Sequence, residues 1–187
     1  KAKPSNLKMA GGLQLLNSGT VTSAATLDIV LTSFTGYRAL KVLLSSFVPA
    51  TDDVELWMRF STDGGGTYDA TGYSYTSHGV RDDGAAFNQS NSGSANQIIL
   101  AGGQAANQSV SNTANEGGVD CEVTLHDQAA ARFSRIRFHS GYFMAAAITV
   151  SQPGAANREA AQDTDAVRFL FESGDIASGK WALYGYI

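Results

Sequence analysis

The sequence predicts an all-β protein, an antiparallel β-sandwich of the jelly-roll kind with about nine or ten strands. Three observations predict it. Apolar and polar residues alternate with a period of two in one segment after another, which is the pattern of a strand with one buried face. Twenty glycines against three prolines supply turns between these segments. The three- and four-residue spacing of an amphipathic helix is missing, apart from about one turn at residues 129–132.

The first predicted strands lie in the first third of the chain. Residues 25–32 alternate, and residues 37–48 are more uniformly apolar, as in a central strand, although a short helix would also fit them. Residues 54–62 alternate most clearly, and their apolar face is Val54, Leu56, Met58 and Phe60. Because only residues 49–53 separate the second and third segments, these two are expected to pair as an antiparallel hairpin.

The later strands follow the same rule. They are predicted at residues 71–78, 97–101, 118–127, 134–143, 145–151, 166–173 and 180–187. In residues 135–139, basic and apolar residues alternate strictly. Each segment therefore has one face for a core and one for its surroundings.

One domain with an N-terminal arm is the predicted organisation. The arm is residues 1–24, and the sandwich is residues 25–187. A polar insertion at about residues 85–118 is almost entirely Ala, Gly, Ser, Asn and Gln, with Glu116 as its one charge. Such side chains bury too little apolar surface to order themselves. An adaptable surface loop and an element ordered between subunits both fit.

Composition excludes several classes of protein. A net charge of -4 is the wrong sign for a nucleic-acid footprint. No apolar run reaches the ~20 residues of a membrane-spanning helix, so neither nucleic acid nor membrane insertion is expected. Cys121 is the one cysteine, which rules out a disulfide within the chain and a cysteine-based zinc site. It alternates with apolar neighbours and is expected to be buried.

The sharpest local motif follows the third predicted strand. It is similar to the Asp-box, S-x-D-x-G-x-T-aromatic, a hairpin known from sialidase-type propellers and other β proteins. The matching residues are Ser61, Asp63, Gly65, Thr67 and Tyr68. A single occurrence predicts no propeller, so the motif is interpreted as a structural hairpin in which Asp63 accepts hydrogen bonds from turn amides. A calcium site using Asp63 and Asp69 is the alternative.

Aromatic residues are the main candidates for binding. Trp57 and Arg59 lie on the face of their strand opposite the apolar one. Tyr73 and Tyr75 share one face of a later strand. Amphipathic rings stack on sugars and anchor protein interfaces, so these four residues are the predicted ligand or interface positions. Packing in the core or between subunits is the alternative.

No catalytic, metal or cofactor site is predicted. The histidines lack ligand spacing, and they are His78, His126 and His139. There is no G-x-S-x-G nucleophile turn. The acids that a glycoside hydrolase would need are interpreted as solvent-facing strand residues, and they are Glu55, Glu122 and Glu172. The chain is therefore expected not to be an enzyme, with a glycan hydrolase as the weakest alternative.

Two stretches carry a resemblance to a known kind of protein. Residues 25–75, which include LDIVLTSFTGYRALKVLLSSF and end in DATGYSY, resemble a β-sandwich module in tail and virion-surface proteins of phages and prophages of alphaproteobacteria. Residues 161–179, followed by Leu183-Tyr184-Gly185-Tyr186, are similar to the end of these modules. The modules offer no catalytic residues to transfer.

The resemblance implies a non-enzymatic structural protein on the phage particle, in a tail fibre, a head fibre or a capsid decoration. It implies a homotrimer that contacts other virion proteins and takes part in host recognition through a surface glycan. The alternative function is a carbohydrate-binding module that holds glycans through exposed aromatics such as Trp57.

Overall fold

The computed structural model describes residues 12–87, 90–103 and 105–187. In these residues the regular structure consists of thirteen β-strands and one short 3₁₀ helix, Thr32–Phe34. The strands are β1 (Leu13–Ala24), β2 (Leu27–Val30), β3 (Ala39–Pro49), β4 (Leu56–Ser61), β5 (Tyr73–Ser77), β6 (Val80–Arg81), β7 (Ser90–Ala95), β8 (Ile98–Ala101), β9 (Val119–His126), β10 (Phe133–Met144), β11 (Ile148–Ala161), β12 (Ala166–Phe171) and β13 (Ile176–Tyr186).

The strands form two antiparallel sheets. The large sheet has the order β1-β13-β3-β9-β10-β11-β5-β7, with β6 paired to β11. The small sheet has the order β2-β12-β4-β8. The predicted all-β sandwich is confirmed, with more strands than expected. Three strands were missed, β1, β6 and β7, because they bury few apolar side chains and so lack a clear alternation.

The core lies between the two sheets and is closed by aromatic pairs that bridge them. Phe47 on β3 lies 5.7 Å, centroid to centroid, from Phe171 on β12. Phe60 on β4 lies 6.0 Å from Tyr73 on β5. Both pairs are tilted, which is a favourable geometry for aromatic rings. These contacts join the two sheets across the core.

The hairpin expected from residues 37–48 and 54–62 is wrong. β3 belongs to the large sheet, where β13 and β9 occupy both of its edges. β4 belongs to the small sheet, between β12 and β8. The intervening residues cross from one sheet to the other, with the Ala50 N–H donating to the Asp175 carbonyl at 2.8 Å. Alternation specifies the buried face of a strand and leaves its partner open.

The second half of the predicted arm is a strand of the sandwich. Residues 13–24 form β1, which pairs with β13 along its whole length, from Leu13 opposite Tyr186 to Ala24 opposite Ile176. Residues 1–11 lie outside the described residues. The domain therefore includes β1, and the boundary expected at residue 24 falls at the end of a paired strand.

The polar insertion is attached to the sandwich by contacts within the chain. β7 pairs with β5, and β8 pairs with β4. The Asp53 carboxylate accepts hydrogen bonds from the N–H groups of Asn107, at 2.8 Å, and Ser109, at 3.0 Å. These two acceptor oxygens add to the apolar anchoring that the buried residues of β8 provide.

A buried polar network holds the insertion from the inside. Gln152, fully buried on β11, donates through Nε2 to Ser77 Oγ at 2.8 Å and to the Gly102 carbonyl at 3.1 Å. Its Oε1 accepts from the Gly102 N–H at 3.0 Å and from the Tyr142 hydroxyl at 3.1 Å. Since buried polar groups are costly when unpaired, this network selects one position for the insertion.

Candidate functional site

The Asp-box residues form a closed turn. Ser61 Oγ donates to Asp63 Oδ1 at 2.7 Å and accepts from the Gly65 N–H at 2.9 Å. Asp63 also accepts from Thr67, from the N–H at 2.9 Å and from the hydroxyl at 2.7 Å. Gly65 adopts φ +97°, a conformation that disfavours other residues. The Thr67 amide and the Ser61 and Thr67 hydroxyls hold the pKa of Asp63 well below its usual range.

Asp63 and Asp69, the calcium alternative, bind different partners. Asp69 accepts from the Nε of the buried Arg158 at 2.6 Å, while Asp63 serves its own turn. In the described part of the chain there is no cluster of three or more His, Cys, Asp or Glu with the geometry of a metal site. The motif therefore acts locally, as a closed turn. It is not the predicted hairpin, because the strands on either side of it, β4 and β5, lie in different sheets.

The motif's tyrosine belongs to a small cluster on the outer face of the small sheet. The Arg168 guanidinium lies 3.9 Å from the centroid of the Tyr68 ring. The same guanidinium donates from Nε and Nη2 to the two oxygens of Asp28, both at 2.7 Å. This fork and the ring together immobilise Arg168, whose pKa the Asp28 carboxylate raises.

Trp57 and Arg59 lie half-buried on the same outer face. The predicted orientation of β4 is confirmed, because Met58 and Phe60 are fully buried. The Trp57 indole N–H donates to Glu55 Oε2 at 2.7 Å, and burial raises the pKa of Glu55. Arg59 Nε is buried and has no hydrogen-bond partner among the described residues. The indole N–H of Trp57 is thus already engaged in a hydrogen bond to Glu55.

Tyr73 and Tyr75 are buried, which matches the alternative given for them, packing in the core. Tyr73 is fully buried, and its hydroxyl accepts from the Phe60 N–H at 2.8 Å and donates to the Asp69 carbonyl at 3.0 Å. Burial raises the pKa of Tyr73 to about 12. Tyr75, 8% exposed, shares a hydrogen bond with Ser90. The alternation of residues 71–78 predicts that Tyr73 and Tyr75 share a face of the strand, but it does not predict whether that face is turned toward the core.

Of the three candidate catalytic acids, Glu55 and Glu172 are neighbours, whereas Glu122 lies apart from them. Glu122 lies on β9 of the large sheet, in an ion pair with Lys41 at 2.7 Å. Glu55 and Glu172 flank the small sheet, where the Glu172 N–H donates to the Glu55 carbonyl at 2.9 Å. Cys121 is buried, as expected, and burial raises the pKa of its thiol to about 12.

A different surface, on the outer face of the large sheet, gathers more polar groups. Residues directly opposite in antiparallel strands share a face. Arg135 on β10 is opposite His126 on β9 and Asn157 on β11. One row further along the strand, Arg137 is opposite Ala155. Cross-strand pairing therefore brings together side chains that are far apart in the sequence.

These rows line an open groove of about 690 Å³, here called the basic groove. Its polar lining is Arg38, Ser74, Thr76, Ser92, His126, Asp127, Arg135, Arg137 and Asn157. Ala155 stands between Arg137 and Thr76, which is its partner on β5. The side chain of Ala155 is a single methyl group, so the surface of the sheet is low at Ala155 and rises at Arg137 and Thr76 on either side of it.

The basic groove has an excess of positive charge in an acidic chain. Three arginines face one carboxylate, Asp127, which gives +3 − 1 = +2 with neutral His126. Arg135 Nη2 donates to Asp127 Oδ2 and holds the pKa of Asp127 below its usual range. The side chains of Arg38 and Arg137 are exposed and have no hydrogen bond or ion pair to any described residue. Their guanidinium donors therefore face solvent.

A second, smaller hollow continues the basic groove. It has a volume of about 280 Å³ and shares His126 and Arg137 with the groove. His139 lines its far side, with Nε2 hydrogen-bonded to Ser151 Oγ at 2.8 Å. Together the two hollows form one track along β9 and β10.

Sequence analysis did not identify the basic groove as a site. The available signal was the strict alternation at residues 135–139, which already put Arg135, Arg137 and His139 on one outward face. The missing information was the partner strands, because Arg38 and Asn157 reach this face only through pairing across the sheet.

Comparison with known proteins adds no functional assignment. No protein-family model matches the chain, and a search of curated proteins found no match. The resemblance to phage sandwich modules therefore stays a prediction. In the described ranges, no helix has the length and apolar character needed to cross a membrane.

Proposed function

We propose that this chain is a non-enzymatic structural module of a phage particle, in a tail fibre, a head fibre or a capsid decoration. It assembles with copies of itself, as a homotrimer, and with other virion proteins. The phage context is supported by the resemblance of residues 25–75 and 161–186 to phage sandwich modules. The sandwich itself suits a structural role, because its two sheets form a rigid core and leave broad outer faces for contacts.

The observation that carries self-assembly is the exposed edge of the large sheet. β1 ends the strand order, and β13 is its one neighbour among the described residues. Leu13 and Leu15 are 50% and 54% exposed there. They lie opposite Tyr186 and Tyr184, both half-buried. These four residues form an apolar strip along the edge, called the edge strip below.

An uncovered edge of this kind is a template for pairing with another chain. Fully burying a leucine side chain is worth about 1.5–3 kcal/mol, so covering the edge strip favours association. Homo-oligomers close by rotational symmetry, and a threefold arrangement of edges would cover one strip per subunit.

Size-exclusion chromatography with light scattering at micromolar concentration tests the assembly. The expected result is a trimer, and the double variant Leu13→Ser/Leu15→Ser is expected to be a monomer. Val30→Ser is the matched control, because Val30 is also 50% exposed but lies on β2 of the small sheet. A wild-type protein that stays strictly monomeric contradicts the proposal.

The phage context has its own test. The reading frames next to the one that encodes this chain are expected to encode capsid or tail proteins. Neighbours that belong to a metabolic operon would contradict the virion assignment and would leave the assembly result standing.

A further inference from the structure

We propose that the basic groove binds an acidic polysaccharide, carboxylated or sulfated, through the unpaired guanidinium groups of Arg38 and Arg137. The inference goes beyond the assembly role and does not rest on it, because one chain contains the whole groove. It also replaces the aromatic platform expected from the sequence, since Tyr73 and Tyr75 are buried.

The first argument is charge. Arg38 and Arg137 each present five N–H donors, and neither side chain has a partner in the described chain. A guanidinium fork matches a carboxylate and also binds other oxyanions. The only carboxylate in the lining, Asp127, is already engaged by Arg135. The groove therefore offers donors for anions without an internal acid to compete for them.

The second argument is the remaining lining. Hydroxyl and amide groups from β5, β7 and β11 face the arginines across the groove, namely Ser74, Thr76, Ser92 and Asn157. Such groups both donate and accept, as the hydroxyls of a sugar require. The second hollow extends the track past Arg137, and the carboxylate in its lining, Glu122, is held in an ion pair with Lys41. The length of the track suits a chain of sugars better than a single one.

The third argument concerns aromatic rings, which distinguish this ligand from others. Neutral glycans and single-stranded nucleic acids are commonly held by stacking on exposed aromatic side chains. The one aromatic residue in the lining is Tyr75, which is 8% exposed and hydrogen-bonded to Ser90. Recognition in this groove therefore depends on charge and hydrogen bonds.

Isothermal titration calorimetry at low salt, with four polymers, tests the proposal. Polygalacturonate carries carboxylates, dextran sulfate carries sulfates, dextran is neutral, and duplex DNA is a polyanion without acidic sugars. Binding of either acidic polysaccharide with weaker binding of dextran and DNA is the expected result, and the stronger of the two identifies the anion. Binding of neither acidic polysaccharide, or binding of dextran or DNA at least as tightly, overturns the proposal.

The double variant Arg38→Gln/Arg137→Gln locates the site. We expect its affinity for the acidic polysaccharide to fall at least about tenfold, because each charge-assisted hydrogen bond contributes that order of magnitude. Lys180→Gln, compared with the single variants Arg38→Gln and Arg137→Gln, removes the same charge from an exposed side chain outside both hollows and is expected to change affinity less than about twofold. Equal affinity in the double variant and the control, with both folded by circular dichroism, overturns the assignment.

The monomeric variant Leu13→Ser/Leu15→Ser separates this inference from the proposed function. Its affinity for the acidic polysaccharide is expected to equal that of the wild type per chain. Loss of binding in this variant would mean that the groove needs a second copy, which contradicts the inference as stated. A wild-type protein that binds the polysaccharide but forms no trimer contradicts only the assembly proposal.

Discussion

The outer faces of the two sheets both carry arginines, and these differ in what surrounds them. On the small sheet, Arg168 makes a two-pronged contact with Asp28 at 2.7 Å and lies 3.9 Å from the centre of the Tyr68 ring. On the large sheet, Arg38 and Arg137 line the basic groove without a side-chain partner in the described residues. The residue type is the same, and the environment is opposite.

This difference indicates which arginines stabilise the fold and which remain available to a ligand. Arg168 connects β12 to β2 and to the Asp-box, so its guanidinium stabilises the fold. The Arg137 side chain has no hydrogen bond or ion pair to a described residue, so its donors remain for a ligand. A guanidinium with internal partners is therefore expected to affect stability, and one without them is expected to affect binding.

The largest expected effect on stability comes from replacing one arginine on each face by glutamine and comparing the two variants. Arg168→Gln removes a charged fork and a ring contact, and we expect the free energy of unfolding to fall by about 1–2 kcal/mol. Arg137→Gln removes no contact within the described chain and is expected to stay within about 0.5 kcal/mol of the wild type. Urea unfolding followed by tryptophan fluorescence measures both. Equal losses in the two variants would erase the distinction between the faces.

Removing the partner of Arg135 tests the comparison by adding an unpaired arginine to the basic groove. Asp127→Asn removes the carboxylate that Arg135 binds, so a third guanidinium becomes free and the groove gains one positive charge. Affinity for an acidic polysaccharide is expected to rise about threefold to tenfold. Glu172→Gln makes the same charge change on the other sheet and is expected to leave affinity as it is. A weaker complex in Asp127→Asn would argue against an electrostatic groove.

Trp57 tests whether the small-sheet face binds anything. Trp57→Phe removes the indole donor to Glu55, and we expect a stability loss of about 0.5–1.5 kcal/mol. Polysaccharide affinity is expected to be unchanged. Trp181→Phe is the control, because the Trp181 indole has no hydrogen bond to a described residue. Titration calorimetry in which Trp57→Phe loses affinity would restore the aromatic platform that the sequence predicted.

The smallest expected effect is on the stability of the folded chain in acid, and it has the same sign for Asp63 and Asp127. The pKa values of Asp63 and Asp127 are lower in the folded chain, so as pH falls below about 4 the unfolded state takes up protons first. The stabilisation is therefore present above that pH and is lost as pH falls further. Asp63→Asn and Asp127→Asn are each expected to lessen the difference in unfolding free energy between pH 6 and pH 3.

The salt dependence of stability distinguishes the causes of the lowered pKa values of Asp63 and Asp127. Asp63 is held mainly by hydrogen bonds within its own turn, whereas Asp127 is held by an arginine in an exposed ion pair. Ion pairs at the surface are screened by salt. The contribution of Asp127 is therefore expected to shrink in 1 M NaCl, and the contribution of Asp63 is expected to persist. Identical salt responses would contradict this assignment.

Much of the local structure could be predicted from the sequence. In β4, the alternation of Met58 and Phe60 with Trp57 and Arg59 correctly gave the buried face, because a strand places successive side chains on opposite sides. The Asp-box also closes as its residues predict, since all of its hydrogen bonds lie within seven residues. Periodicity and local hydrogen bonding depend only on neighbours in the chain.

Tertiary structure alone decided the rest. Tyr73 and Tyr75 became core residues because β5 turns that face toward the small sheet, where Tyr73 meets Phe60. The edge position of β1 and the separation of β3 from β4 depend on which strands pair, and the free energy of pairing comes from residues far away in sequence. The same is true of the basic groove, since no stretch of sequence contains Arg38, Arg137 and Asn157 together.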